Sequence, residues 1–328
     1  MTWDRRHLLQ LEGMSADEIL AIIGQAEEWR DIALGKAPRL DPLAGETIAN
    51  LFFEDSTRTR SSFTLAARRL GADALDLTAI GSSVSKGETM ADTALNLQAM
   101  GVAAFVVRCK ESGGAHVVAK AVDVSVLNAG DGRHEHPTQG LLDIMTLRQH
   151  LGSDLRGKTI AIVGDILNSR VARSAIHGLT TLGCNVILCG PPTLVPHSFE
   201  CIAAKDAGRG KVTVMHDLDA ILPSLDAIMM LRVQFERTGD GPALISGDYR
   251  ALYGMNAQRA ARLPEHAVVL HPGPVNRGLE LDSEVMDAAP PHGRSLILHQ
   301  AANGVAVRMA ALAMALGGQG MISPAAAR

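Results

Sequence analysis

The chain has 328 residues, 47% of them hydrophobic, 20% charged and 3% aromatic, with a formal net charge of −4. That length predicts two domains, and that composition a soluble protein whose core is built from Ala, Val, Ile, Leu and Met. Mild acidity argues against a general nucleic-acid binder, no charge-free apolar run reaches the ~18 residues of a membrane span, and Cys109, Cys184, Cys189 and Cys201 show no metal or CxxC spacing, so a reduced cytoplasmic setting is expected.

Ser15 to Leu34 reads as an amphipathic helix, with Ser15 and Glu18 placed for a capping box. A loop at Pro38 to Gly45 precedes the first strand, Ile48 to Phe53. That strand runs into Ser56-Thr57-Arg58-Thr59-Arg60 and a helix with Phe63, Ala66, Ala67 and Leu70 at helical spacing. An arginine near a helix start is ordinarily a solvated surface residue. Here a hydroxyl-rich turn directly follows a buried strand, so amides, hydroxyls and guanidinium groups converge on a helix N-terminus, which attracts anions.

Ala74 to Thr78 is a short strand, followed by the loop GSSVSKGET at Gly81 to Thr89. Lys86 in it is either a solvated loop lysine or part of a closing anion clamp. Thr89 to Met100 reads as helix and Ala103 to Val107 as a strand buried on both faces, with Arg108 at its end. Val124 to Asn128 is the next strand. After it, His136 and Gln139 open a helix that begins at Pro137 and reaches about Leu151.

A composition shift at Gly152 to Lys158 marks the expected boundary. Thr159 to Val163 is a strand ending in Gly164-Asp165, but the later glycines of G-x-G-x-x-G are missing, and no acid follows the Asn185 to Leu188 strand. A nicotinamide dinucleotide is therefore not expected. Arg170 falls in the turn and early helix after Val163. Lys211 to Met215 and Asp226 to Leu231 are further strands, the latter followed by Arg232 and Gln234. Ser246 to Leu263 reads as one helix, and Ala267 to Leu270 as the last strand, running into His-Pro-Gly-Pro with Gly273 and Pro274. Ser295 to Leu316 is a long Ala/Leu/Met helix.

The alternation predicts an α/β fold with two doubly wound parallel-sheet domains and the active site in the cleft between them. The expected domains are 1–150, joined by the C-terminal helix 295–318, and 151–294. Strand ends gather cations and amide donors, with no Walker lysine, metal cluster or Ser-His-Asp order. Such a site suits small polyanions and charge stabilisation without a covalent nucleophile.

The segments FFEDSTRTRSSF, SSVSKGET, HPTQ, LRVQFER and LHPGPVNRG resemble, in order and over nearly the whole chain, the aspartate carbamoyltransferase catalytic chains of the aspartate/ornithine transcarbamylase family. Arg-Val-Gln and His-Pro-Gly-Pro favour the aspartate branch over the ornithine branch, which is expected to show Ser-Met-Gly and His-Cys-Leu-Pro. The resemblance implies transfer of a carbamoyl group from carbamoyl phosphate to L-aspartate in pyrimidine biosynthesis, with no cofactor. It implies that Ser56, Thr57, Arg58, Thr59, Arg108, His136, Gln139, Gly273 and Pro274 bind carbamoyl phosphate. Lys86, Arg170, Arg232 and Gln234 would bind aspartate. Arg58, Thr59, Lys86, Arg108 and His136 would act in catalysis. It further implies a homotrimer in which Ser82 and Lys86 reach a neighbouring subunit's site, and it leaves room for a larger assembly with dihydroorotase or a regulatory chain. The rival readings are an ornithine-type transcarbamylase and a silent scaffold relative.

Overall fold

A computed structural model describes residues 3–78, 87–202, 210–233, 246–290 and 293–317. The chain forms two compact units. One takes the chain up to Leu142 together with the segment from Ala302 onward; the other is Asp143–Ala301.

In the first unit, α1 (Ala16–Glu28) opens with the expected capping box. The Ser15 hydroxyl accepts from the Glu18 amide, and the Glu18 carboxylate accepts from the Ser15 amide. Ile19, Ile22, Ile23 and Ala26 form its buried face. The sequence predicts this helix to Leu34, but it stops at Trp29 and resumes as the short α2 (Arg30–Ala33). Trp29, itself buried, leaves helical geometry at φ −93° and ψ 8°, although its amide still donates to the Gln25 carbonyl and its carbonyl still accepts from the Ala33 amide.

The remaining elements alternate in β-α order: β1 (Thr47–Phe52), α3 (Thr57–Arg69), β2 (Asp73–Thr78), α4 (Met90–Ala99), β3 (Val102–Cys109), α5 (Gly114–Ala121), β4 (Ser125–Asp131) and α6 (Pro137–Leu151). All pairings are parallel, in the order β2-β1-β3-β4. Such strands are buried on both faces, and β1 and β4 are buried almost throughout, polar Asn50, Asn128 and Asp131 included. Ala49, Leu51, Phe105, Val107, Val118 and Val126 form one shared core. The strand order reverses direction between β1 and β3, the place where open α/β sheets bind ligands.

The second unit repeats the logic. Its elements are β5 (Thr159–Val163), α7 (Arg170–Thr181), β6 (Asn185–Cys189), β7 (Val212–Met215), α8 (Leu218–Ile221), β8 (Ala227–Met230), α9 (Ser246–Tyr253), α10 (Ala257–Ala260), β9 (Val268–Leu270), α11 (Ser283–Asp287) and α12 (Ile297–Gly317), which continues into the first unit. The parallel order is β7-β6-β5-β8-β9, reversing between β5 and β8. The helix expected over Ser246 to Leu263 is two helices. A Cβ at Gly254 would lie 2.7 Å from the carbonyl oxygens of Arg250 and Leu279, so the chain turns where only glycine fits.

Candidate active site

In the first unit the sequence-predicted residues leave three adjacent strand ends. Phe52 at the end of β1 is in register with Arg108 of β3, and Cys109 of β3 with Asp131 of β4. The turn after β1 reaches Ser56, the N-cap residue of α3, whose backbone is extended. The first amides of a helix have no partner within it. At α3 the Ser56 side chain makes no capping bond and the first turn carries no acid. The positive end of the helix dipole is therefore uncompensated by its own sequence. Thr57 and Arg58 are exposed and Thr59 is half-buried. The protein around Arg58 still strips its guanidinium of some hydration and lowers its pKa, although an arginine stays charged at physiological pH.

Arg108 is held in place. Its guanidinium donates to Glu54 Oε1 at 3.2 Å and to the Ala129 carbonyl at 3.2 Å. Glu54 stands out in the sequence only as an acid ending a strand, and its orienting role becomes visible once β1 and β3 are neighbours. His136 is buried and its carbonyl accepts the amides of Gln139 and Gly140, so it caps α6 through its backbone. Gln139 is also buried.

The turn from β4 to His136 is built by residues the sequence reading did not single out. Asn128 Nδ2 donates to Leu9 O, Asp131 Oδ1 and Glu135 O. Glu135 accepts the amides of Leu11 and Glu12. His116, Asp131 and His134 place one potential ligand atom each within 4.8 Å of one another. The Asp131 carboxylate is already saturated, however, by Asn128, the Gly113 and Glu135 amides, and His134. The cluster therefore works as a hydrogen-bonded turn that leads the chain from β4 to His136.

The second unit has the same plan. Gly164 to Ser169 leads from β5 to Arg170, Arg232 follows β8, and the His-Pro-Gly-Pro turn follows β9, three adjacent strands again. Asp165 shapes the first turn by accepting from the Asn168 amide at 3.1 Å and from Asn168 Nδ2. Ser169 caps α7 by accepting from the Ala172 amide, which puts Arg170 at the first helical position, buried. Arg232 is half-buried. Gly273 adopts φ 67° and precedes a cis peptide to Pro274. Ser82, Lys86 and Gln234 lie outside the described residues.

Chemically, the first unit presents a helix N-terminus, hydroxyls, two arginines and a buried histidine, suited to a phosphate and a polarised carbonyl. The second presents two arginines, suited to carboxylates. Residues 6–149 match the family domain described as aspartate/ornithine carbamoyltransferase, carbamoyl-P binding domain, and residues 156–315 its Asp/Orn binding domain. The aspartate carbamoyltransferase catalytic subunit of Salinispora tropica is 51% identical, covering 95% of this chain and 98% of that protein. The structure of Trypanosoma cruzi aspartate transcarbamoylase with carbamoyl aspartate and phosphate superposes with a TM-score of 0.82 at 33% identity, covering 93% of this chain and 94% of that one. Ornithine carbamoyltransferase from Pyrococcus furiosus gives 0.83 at 28% identity, covering 98% of this chain and 100% of that one.

Proposed function

The chain belongs to the aspartate/ornithine carbamoyltransferase family, and from that premise we propose how its residues divide the work of moving a carbamoyl group from carbamoyl phosphate to the amine of L-aspartate. The phosphate takes the first-turn amides and hydroxyls of Ser56, Thr57 and Thr59, together with Arg58 and Arg108. The carbonyl oxygen is polarised by Thr59, Arg108 and His136, and Gln139 orients the carbamoyl NH2. Donors aimed at a developing oxyanion are each worth ~10²–10³ in rate. The carbonyls of the Pro272-Gly273-Pro274 turn contact the carbamoyl group. Arg170, Arg232, Gln234 and Lys86 take the two carboxylates of aspartate. The neutral amine attacks the carbamoyl carbon, the C–N bond forms, the C–O bond to phosphate breaks, and the departing phosphate removes the amine proton. Holding both substrates in line lowers the barrier by removing the entropy of encounter.

The observation that carries the phosphate half is the α3 N-terminus, whose first turn holds no acid and whose Ser56 side chain makes no capping bond, after the strand that neighbours an Arg108 bonded to Glu54. The fold does not choose the second substrate, because an ornithine enzyme matches it as well as an aspartate enzyme does. The charge of Arg170 and Arg232 favours a diacid, as does the 51% identity to an aspartate carbamoyltransferase subunit. The proposal extends to a homotrimer with Ser82 and Lys86 serving a neighbouring site, and to a cytoplasmic place in pyrimidine synthesis. No helix among the described residues is long and apolar enough to cross a membrane.

The test is product formation with aspartate and with ornithine, alongside titration with a bisubstrate analogue that joins a phosphonate to a dicarboxylate. Carbamoylation of aspartate and tight binding of the analogue are expected. Turnover of ornithine in preference to aspartate would overturn the assignment.

A further inference from the structure

The His-Pro-Gly-Pro turn of the second unit rests on a buried histidine–glutamate pair. The side chains of His271 and Glu280 are both 0% exposed. The Gly273 amide donates to His271 Nδ1 at 2.7 Å. That nitrogen therefore carries no proton, and Nε2–H donates to Glu280 Oε1 at 3.3 Å. The Asn276 amide donates to the same oxygen at 2.6 Å. The backbone amide of His271 is taken by Gln300 Oε1 at 2.9 Å, and Gln300 Nε2 is in turn held by Asp143 at 2.7 Å.

The turn's donor inventory follows. Pro272 and Pro274 have no amide hydrogen. The amides of His271 and Gly273 both point into the pair and its neighbours. Between His271 and Pro274 the backbone has only carbonyl oxygens left to offer. Glu280 Oε2, meanwhile, is buried without a hydrogen-bond partner among the described residues. A fully buried carboxylate of this kind is a poor device for stability alone.

We propose that Glu280, acting through His271, is a positioning residue that makes this turn an acceptor-only surface and so selects an acyl donor bearing an N–H group. The inference rests on the placement of the turn against the carbamoyl group in the reaction scheme above. The carboxylate fixes the imidazole with its proton on Nε2. Nδ1 then withdraws the Gly273 N–H from the substrate side, and the turn's carbonyls meet the carbamoyl NH2. An acetyl group, nearly isosteric but with a methyl in place of NH2, would leave those carbonyls unpaired. Sites that hydrogen-bond a substrate N–H reject the analogue lacking it.

The test compares dissociation constants for carbamoyl phosphate and acetyl phosphate by calorimetry in the full-length protein, with thermal midpoints measured in parallel. Asparagine at 271 places its Oδ1 close to the position of Nδ1 and can still accept from Gly273. Glutamine reaches toward Glu280 but gives up the Gly273 bond. The preference for carbamoyl phosphate is expected to survive in His271→Asn and to fall about ten- to a hundredfold in His271→Gln and Glu280→Ala, with Glu280→Gln intermediate. If Glu280→Ala does not fold, the two His271 variants decide. A preference unchanged in His271→Gln, or lost equally in His271→Asn, would overturn the proposal. Because the readout is donor binding, it stands apart from the acceptor question: a failure to carbamoylate aspartate would sink the functional reading and leave this ratio measurable.

Discussion

At the scale of single residues, what matters is which of the site's charges are also bonded into the fold. Arg58 is exposed at the start of α3, whereas Arg108 is pinned by Glu54 and the Ala129 carbonyl. Arg58→Ala should therefore leave the thermal midpoint nearly unchanged and lower kcat by roughly 10²-fold or more, read by steady-state kinetics and a melting curve on the same sample. Retention of near wild-type kcat would contradict its role. Arg58, Arg170 and His136 stand out in the sequence because each stands at a helix start after a predicted strand. Asn128, Asp131 and Glu280 do not, and Glu54 shows only as an acid ending a strand. Their roles depend on partners supplied by another strand or a later turn, and nothing in local spacing signals such a partner.

Among the elements, the strands are the most legible, since parallel strands buried on both faces are short apolar runs. The Thr159 to Val163 reading matches β5 residue for residue. Helices with side-chain caps are nearly as clear: Thr89 and Asp92 close a capping box on α4. α5 receives no assignment from the sequence. It has eight residues, two adjacent β-branched valines and no side-chain cap, and it starts from Gly113 at φ 85°. The break between α9 and α10 is hidden for a different reason. Periodicity continues through Gly254, and the Leu279 carbonyl that crowds it comes from a later segment of the chain. Gly254→Ala should destabilise the fold by ~1–3 kcal/mol, seen as a lower urea midpoint at unchanged m-value, because a Cβ there meets two backbone oxygens that cannot rotate away. A neutral result would mean that the segment shifts freely.

For the whole molecule, pH and assembly give two further expectations. His134 has its pKa raised by its hydrogen bond to Asp131. His116 has its own lowered, first by burial and then by the charge of His134, and His7 likewise by burial and then Arg6. A raised histidine pKa contributes stability in full below its ordinary 6.5 and loses it as pH climbs through the folded value. A lowered one imposes a penalty that grows as pH falls below 6.5. The histidine contribution to stability should thus peak near 6.5, and His134→Gln should remove the decline on the alkaline side. Urea midpoints taken from about pH 5.5 to 8.5 check this; a decline that persists in the variant would show it has another source. For assembly, mixing inactive Arg58→Ala and Lys86→Gln chains should restore part of the activity if each site draws Lys86 from a neighbour. No recovery in purified hybrids would refute sharing. The sequence by itself determined two α/β halves, the order of their strands along the chain, and the cations at strand ends, because burial and helix starts are written in periods of two to four residues. Only the tertiary structure decided which strand ends stand side by side, that Glu54 holds Arg108, and that Glu280 reaches His271, since those pairings depend on sheet order and on turns that close only when the chain packs.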